Sequence, residues 1–177
     1  AHADMNTPQT SPSGNVHGMP MSAILGREPS ELTQVGHSLV KIKPAKTVLV
    51  GIRNLDSHER QIVQASGVHV FTMKDIDREG ITTIAEKALD IASNGTAGFH
   101  ASFDLDACDP SFAPGVGSPV KGGLNYREAH VLMEMMADSD RLLALDMVEL
   151  NPILDAQNTT AVFATELILS AIGKKIL

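Results

Sequence analysis

Short apolar runs alternate with amphipathic segments along most of the chain, from about residue 47 onward. Compact runs rich in β-branched residues predict buried strands at 47–52, 68–71, 99–105 and 142–148. Apolar residues at helical spacing predict helices over 59–66 and 81–92, from Asn125 onward, and in a last segment that ends near Gly173. Strands that alternate with helices are typical of a parallel sheet covered by helices on both faces. The pattern therefore predicts an α/β fold.

Polar residues at the segment boundaries support this division of the chain. Asn125, followed three residues later by Glu128, is typical of a capping box, and Asn158 is predicted to cap the last helix. The loop from Asn6 to Gly18 is much longer than an ordinary connection, and long loops near the carboxyl ends of parallel strands often carry functional residues. No internal repeat or linker interrupts the sequence, so a single domain over 1–177 is predicted.

The composition limits the partners that this domain can have. Of the 177 residues, 43% are hydrophobic and 20% are charged, which is typical of a folded globular protein. The formal net charge of −7 argues against nucleic acid as a partner, because the phosphate backbone requires a basic face. No apolar run reaches the roughly 18 residues of a membrane span, so no membrane partner is predicted. The single cysteine, Cys108, excludes an internal disulfide and a cysteine-based zinc site.

Carboxylates and a histidine stand at the ends of predicted extended segments. His2 and Asp4 open the chain, Asp104 and Asp106 end the third strand, and Glu149 follows the fourth. Residues i and i+2 of an extended segment project to the same side, and two carboxylates that close repel unless a cation lies between them. Oxygen-rich ligands with an imidazole favour Mn²⁺, Mg²⁺ or Fe²⁺. Aspartate pairs at strand ends also occur without a metal, so spacing alone leaves both interpretations open.

Several separated motifs resemble the arginase branch of the ureohydrolase superfamily. They read AHADMNTP at 1–8 with SGNVHG at 13–18, SFDLD at 102–106 with DPSFAP at 109–114, GGL and YRE between 122 and 128, and LDMVELNP at 145–152. The motifs follow the order of the family and extend over nearly the whole chain. The resemblance implies a three-layer α-β-α fold with a central parallel sheet, here lacking its amino-terminal strands.

The resemblance also implies a site for two Mn²⁺ ions per subunit. His2, Asp4, Asp104 and Asp106 match four of the metal-ligand positions of the family. The family motif reads Asp-Ala-His-x-Asp, so its first aspartate is expected immediately before Ala1, and a further histidine is expected from an earlier segment. The chain is therefore expected to be the carboxyl-terminal part of a longer enzyme, an arginase-like domain over 1–177 that is incomplete at its amino terminus.

The activity implied by the resemblance is hydrolysis of L-arginine to L-ornithine and urea by a hydroxide that bridges the two Mn²⁺ ions. Glu149 matches the carboxylate that binds the guanidinium, and His17 matches the proton shuttle for the leaving amine. The residues that match substrate-binding positions are Asn6, Ser13 and Asn15 for the α-carboxylate, Asp56 and Glu59 for the α-ammonium, and Ser118 near the guanidinium.

Two alternatives to arginine hydrolysis stay open. One is a related ureohydrolase that acts on agmatine or another guanidino compound, although agmatine lacks the carboxylate for which Asn6, Ser13 and Asn15 are suited. The other is a metal-deficient, non-catalytic member of the family. Asn54 stands where the family commonly has an aspartate, and its effect on affinity is open. The resemblance further implies a cytoplasmic homo-oligomer, a trimer or hexamer, with L-arginine as its small-molecule partner.

Overall fold

Short parallel strands and the helices that connect them make up most of the described chain, which covers residues 1–36 and 41–175 of a computed structural model. In chain order the elements are α1 (Pro20–Ile24), α2 (Ser30–Thr33), β1 (Val48–Ile52), α3 (Ser57–Ser66), β2 (His69–Thr72), α4 (Met73–Glu79), α5 (Ile81–Ser93), β3 (Phe99–Asp104), α6 (Tyr126–Asp138), β4 (Leu142–Val148) and α7 (Thr159–Ala171). Single 3₁₀ turns are found at Val16–Gly18, Pro44–Lys46 and Leu105–Ala107. Among the described residues, no helix is both long enough and apolar enough to cross a membrane.

The strands form two parallel pairs. β1 lies beside β2, with Leu49 opposite Val70, and β3 lies beside β4. Parallel strands connected by helices confirm the predicted α/β class. Within the described ranges the two pairs are not hydrogen-bonded to each other. The segment 1–5 contacts the ends of both pairs, and on the β1 side the carbonyl of Ala1 accepts a hydrogen bond from the amide of Arg53 at 3.1 Å.

The β1–β2 pair separates two hydrophobic cores. Alternate residues of a strand face opposite sides of the sheet. Val50 and Phe71 accordingly contact the larger core, whereas Leu49 and Val70 contact the smaller one. The larger core includes the buried side chains Ile76, Ile84, Phe103, Leu105, Leu132, Met133 and Leu167, and the smaller core consists of Ala3, Met5, Leu25, Leu49, Ile52 and Val63. Burial on both faces explains why these strands are continuous apolar runs in the sequence.

The structure adds three short helices, α1, α2 and α4, to the elements that the sequence pattern predicts. α4 has one buried residue, Ile76, and therefore lacks the apolar stripe that identifies a helix from sequence. Its start is a capping box formed by Thr72 and Asp75. The capping box predicted for Asn125 and Glu128 opens α6, which confirms that prediction.

The predicted cap of the last helix is wrong. Asn158 directly precedes α7, but its φ of 59° is left-handed and its side chain caps no amide among the described residues. Asp155 supplies the cap instead, because its carboxylate accepts hydrogen bonds from the amides of Thr160 at 3.0 Å and Ala161 at 3.2 Å. Asp155 lies well outside the helix in sequence, so an inspection of the residue next to the helix does not find it.

Candidate active site

A cleft of about 350 Å³ lies beside the segment 1–5, at the carboxyl ends of three strands. Asp56 follows β1, Asp106 follows β3 and Glu149 follows β4, and the carboxyl ends of parallel strands are where ligands bind in α/β folds. All twelve site residues predicted from the sequence line this cleft: His2, Asp4, Asn6, Ser13, Asn15, His17, Asp56, Glu59, Asp104, Asp106, Ser118 and Glu149. The structure thus brings the predicted residues together, and their individual roles stay predictions.

Hydrogen bonds to Asp106 connect the end of β3 to the amino-terminal segment. Its Oδ2 lies 2.8 Å from Nδ1 of His2, and its Oδ1 lies 2.6 Å from the backbone nitrogen of Ala1. Its own amide donates to Oδ1 of Asp104 at 2.8 Å. On the other side of the imidazole ring, Nδ2 of Asn54 lies 3.3 Å from Nε2 of His2. Residues that are about one hundred positions apart in the chain therefore share one polar network.

The carboxylates of this network oppose one another's ionisation. Burial raises the pKa of Asp4 to about 7, and the neighbouring Asp104 and Asp106 add to the shift. Burial likewise raises the pKa of Asp104 to about 6, with Asp106 as the next cause. Burial acts in the opposite direction on Asp106 to the hydrogen bond with His2, which lowers the pKa of that carboxyl. Such a cluster is stabilised by a cation placed among its oxygens.

The chemistry of these side chains fits a divalent cation. Carboxylate oxygens together with one imidazole are ligands that Mn²⁺ accepts, and a cation relieves the repulsion that raises the pKa of Asp4 and Asp104. In the described part of the chain, no three His, Cys, Asp or Glu side chains already form a metal-binding group. Nδ1 of His2 instead lies 2.8 Å from Oδ2 of Asp106, so an ion bound by that nitrogen replaces this contact.

Glu149 and His17 form a second group in the cleft, with Nδ1 of His17 located 3.6 Å from Oε1 of Glu149. The backbone of Glu149 has a φ of 65°, and that of Asp4 has a φ of 54°. Residues other than glycine rarely adopt this conformation, and it is concentrated at functional sites. A Cβ on Gly117 would lie 3.3 Å from Oε2 of Glu149, so a glycine there leaves room for the carboxylate. The pair combines a carboxylate acceptor with an imidazole, a side chain that can donate or accept a proton.

A third group connects the long loop to the start of α3. Nδ2 of Asn6 donates to Oδ2 of Asp56 at 2.8 Å, and the hydroxyl of Thr10 donates to Oδ1 of Asn6 at 2.9 Å. The other oxygen of Asp56 accepts from the amides of His58 and Glu59, which makes Asp56 the N-cap of α3. Burial acts to raise the pKa of Asp56, but these hydrogen bonds outweigh it and lower the pKa. Asp56 is therefore an anion at neutral pH.

The remaining predicted residues differ in accessibility. Ser13 and Asn15 are exposed on the long loop, where the hydroxyl of Ser13 accepts from the amide of Asn15 at 3.2 Å. Ser118 is partly buried in the loop that follows β3. Glu59 is buried, and its Oε1 accepts from the amide of Met5 at 3.0 Å. Burial raises the pKa of Glu59. The loop residues can thus meet a ligand from solvent, whereas Glu59 already supports the segment 1–5.

The sequence interpretation missed Arg53, which directly follows β1. Its guanidinium donates to the carbonyl oxygens of Asp106 at 2.7 Å and Val120 at 2.6 Å, both in the segment that follows β3. Every residue has a backbone carbonyl, so the sequence does not indicate which carbonyls a side chain binds. The only sequence signal is a single arginine at the end of a predicted strand, at the edge of the sheet where the acidic residues are predicted.

Comparison with known proteins decides the family. A sequence profile of the arginase family matches residues 1–173. The chain belongs to the arginase family. The arginase of Bacillus caldovelox is 48% identical over 177 residues, which is all of this chain, and its solved structure has a TM-score of 0.96. The arginase of Bacillus subtilis (strain 168) is also 48% identical over the whole chain. The arginase of Entamoeba histolytica, solved in complex with L-ornithine, is 35% identical over 98% of this chain, with a TM-score of 0.90.

The chain spans only part of these arginases. It covers 59% of the length of the Bacillus caldovelox arginase, 60% of the Bacillus subtilis arginase and 58% of the Entamoeba histolytica arginase. The matches confirm the family and the α/β fold that the motifs predict.

Proposed function

We propose that the protein hydrolyses the guanidino group of L-arginine to L-ornithine and urea, as a manganese-dependent ureohydrolase. The observation that carries this proposal is the cleft, because it collects all twelve predicted residues in a chain that is 48% identical to arginases. The relative from Entamoeba histolytica, whose solved complex contains L-ornithine, supports the same product.

The proposed ligands of two Mn²⁺ ions are His2, Asp4, Asp104 and Asp106. When bound, the ions supply Lewis-acid activation of the attacking water. Asp4 and Asp104 have pKa values of about 7 and about 6, and both carboxyls bind a cation in their ionised form. Uptake of a cation near neutral pH is therefore expected to release protons from these side chains.

Glu149 and His17 are proposed to act on the guanidinium and on the leaving amine. The Glu149 carboxylate accepts two parallel N–H groups of the guanidinium, an arrangement that orients a planar cation. Water adds to the guanidinium carbon and gives up one proton. The bond from that carbon to the side-chain nitrogen of ornithine then breaks, and the oxygen loses its second proton as urea forms. His17 donates a proton to the departing nitrogen. The imidazole is about half exposed, so it can recover its proton from solvent.

The selectivity for arginine is proposed to come from the amino-acid end of the substrate. Ser13 and Asn15, together with Asn6, offer hydroxyl and amide groups to the α-carboxylate. Asp56 and Glu59 offer negative charge to the α-ammonium, and Ser118 contacts the guanidinium end. Agmatine has no α-carboxylate, so an enzyme with this loop is expected to prefer arginine.

The decisive experiment measures urea release by the full-length, Mn²⁺-loaded protein from arginine and from agmatine. We expect a higher kcat/KM for arginine. The double variant Ser13→Ala/Asn15→Ala is expected to raise the KM for arginine by about 10-fold or more, because each group makes a hydrogen bond to a charged partner, and to leave the agmatine rate unchanged. Ser30→Ala, on the exposed surface of α2, is the matched control.

Each of the other outcomes of this assay rejects part of the proposal. A preference for agmatine or for a different guanidino compound rejects arginine as the substrate. Fewer than two metal ions per subunit, together with no urea release from any guanidino compound, identifies a metal-deficient, non-catalytic member of the family. The two results are separated by a metal analysis of the same preparation.

We also propose that the protein is a homo-oligomer of three or six subunits in the cytoplasm, as the family resemblance implies. Sedimentation of the full-length protein tests the assembly, and a monomer or dimer would contradict it. Cell fractionation with an antibody to the protein tests the location.

A further inference from the structure

Arg53 connects three segments of backbone at the cleft. Its own amide donates to the carbonyl of Ala1 at 3.1 Å. The six hydrogen bonds of its guanidinium all go to backbone carbonyls, and five of the acceptors lie in the loop after β3: Asp106 at 2.7 Å, Ala107 at 3.0 Å, Cys108 at 3.2 Å, Val120 at 2.6 Å and Lys121 at 3.3 Å. One side chain thus holds both the beginning and the far end of this loop.

Arg53 supplies a donor from outside the loop to carbonyls at both of its ends, and the carbonyl of Ala107 also accepts from the amide of Leu124 at 3.0 Å. The 3₁₀ turn Leu105–Ala107 leaves its last carbonyls without partners inside the turn. A buried carbonyl without a donor costs about 1–3 kcal/mol. A guanidinium presents five N–H groups in a fixed plane, whereas a lysine ammonium presents three on a flexible stem. Acceptors spread over two separate stretches of backbone therefore require arginine at position 53.

The loop is shaped to admit this guanidinium. A Cβ on Gly123 would lie 2.7 Å from Nη2 of Arg53 and 2.5 Å from the carbonyl oxygen of Ala107, so only glycine fits there. The amide of Leu124 donates to the carbonyl of Ala107 at 3.0 Å, and the amide of Asp109 donates to the carbonyl of Leu124 at 2.9 Å. These bonds close the base of the loop beside the guanidinium.

The loop carries residues of the proposed site at both of its ends. Asp106 is the first residue whose carbonyl Arg53 binds, and Ser118 precedes Val120, the acceptor at 2.6 Å, by two positions. The side chain of Asp106 contacts His2. The residue before His2, Ala1, accepts a hydrogen bond from the amide of Arg53 through its carbonyl. Arg53 does not line the cleft, so it acts through these residues and not on a ligand.

We propose that Arg53 is a positioning residue that holds the loop carrying Asp106 in register with the segment carrying His2, and so sets the affinity of the site for a divalent cation. The inference rests on the proposed function, because it assigns the cluster around Asp106 to metal binding.

The test uses the full-length protein with Arg53→Met and Arg53→Lys, and with Arg60→Met as the matched control on the exposed surface of α3. Isothermal titration of the metal-free proteins gives the Mn²⁺ dissociation constants. Hydrogen exchange gives the protection of the amides of Asp109 and Leu124. We expect about 10–100-fold weaker Mn²⁺ binding and faster exchange of both amides in Arg53→Met. The Mn²⁺ affinity and amide exchange of Arg53→Lys are expected to lie between those of Arg53→Met and the parent. Arg60→Met is expected to have the parent's values.

Rescue by added guanidinium separates positioning from a general loss of stability. In Arg53→Ala, guanidinium at concentrations far below those that unfold proteins is expected to restore part of the Mn²⁺ affinity by binding the vacated carbonyls. It is expected to have no effect in Arg60→Ala. A residue with a merely structural role would lower the melting temperature of the metal-free protein without this selective recovery.

A folded Arg53→Met variant with the Mn²⁺ affinity and amide exchange of the parent overturns the inference. If Arg53→Met does not fold, Arg53→Lys provides the same two measurements, and parental values there overturn it as well. If the parent protein binds no Mn²⁺, the proposed function fails and the metal part of this inference fails with it. Amide exchange then still decides whether Arg53 holds the loop.

Discussion

Asp4 combines two features that folding by itself disfavours, a buried carboxylate and a left-handed backbone. Burial raises its pKa to about 7, and the negative charges of Asp104 and Asp106 raise it further. Its φ of 54° is left-handed, which costs energy in any residue other than glycine, although aspartate and asparagine adopt it more often than most. Neither feature improves the packing of the segment 1–5, in which Ala3 and Met5 supply the buried apolar side chains. The residue is therefore best explained by the ion that it is proposed to bind.

Replacement of Asp4 by asparagine is expected to stabilise the metal-free protein and to weaken metal binding. The amide removes a charge from the crowded carboxylates and tolerates the left-handed backbone, so we expect a gain of about 1–3 kcal/mol in the free energy of unfolding at pH 7. Urea denaturation in the presence of a chelator measures the gain, and titration with Mn²⁺ measures the loss of affinity. Asp77→Asn, on the exposed surface of α4, is the control, and a less stable Asp4→Asn protein would contradict the argument.

At the residue scale, side-chain motifs were predictable and backbone partners were not. The motif residues around Asp104 and Glu149 could be named from the sequence because the chemistry resides in the side chains themselves. The importance of Arg53 could not be seen in this way, because its acceptors are carbonyl groups that every residue has. The left-handed conformation of Glu149 also has no sequence signal, since glutamate seldom adopts it.

The start of α7 matters to the cleft because it holds the loop next to Glu149. The amide of Gly115 donates to the hydroxyl of Thr160 at 2.7 Å, and that hydroxyl donates to Asp155 at 2.8 Å. The amide of Asn151 donates to the carbonyl of Gly115 at 2.8 Å. The cap of the helix, the loop and the residues after β4 thus form one connected unit.

Loss of the carboxylate in Asp155→Ala is expected to destabilise the protein by about 1–2 kcal/mol, because the amides at the start of α7 lose their acceptor. Asn158→Gly is the matched change at the residue that sequence inspection predicts as the cap. The free energy of unfolding of this variant is expected to stay within a few tenths of a kcal/mol of that of the parent, or to increase, because glycine readily adopts a φ of 59°. Equilibrium denaturation of the three proteins measures both effects. A larger loss in Asn158→Gly than in Asp155→Ala would show that the cap is assigned wrongly.

The elements that sequence pattern predicts well are those with a buried face. α5 and α6 have buried faces and follow their apolar spacing. β4 also spans Leu142–Val148, as its apolar run indicates, although its residues are only partly buried or exposed. α4 was not predictable in this way, because Ile76 alone is buried along its length. The pairing of the strands was predictable only in its direction, since the partner of a strand depends on contacts distant in sequence.

Apolar side chains on and after β4 remain exposed in the described chain. Leu143 is 68% exposed, Ile153 is 92% exposed and Val162 is 57% exposed. Within the described ranges β4 pairs with β3 only, so its other edge presents backbone groups that are free to pair. An exposed apolar edge strand promotes association between chains.

A polypeptide of residues 1–177 by itself is expected to self-associate, and Leu143→Lys is expected to reduce this association. A lysine on an edge strand opposes pairing with a second strand. Sedimentation velocity over a range of concentrations measures the effect. Thr82→Lys, which adds the same charge on the exposed surface of α5, is the control. Equal association of the two variants would show that the β4 edge is not responsible.

The crowded carboxylates around Asp4 also bear on how this molecule evolves. Under the proposed function, selection for folding and selection for metal binding act in opposite directions at position 4, because an asparagine there is compatible with the backbone and removes a repelling charge. Under that function, a descendant released from catalysis is therefore expected to lose Asp4 early while its fold is kept or strengthened. Conversely, a lineage that retains Asp4 at this cost records continuous selection for the proposed ion site.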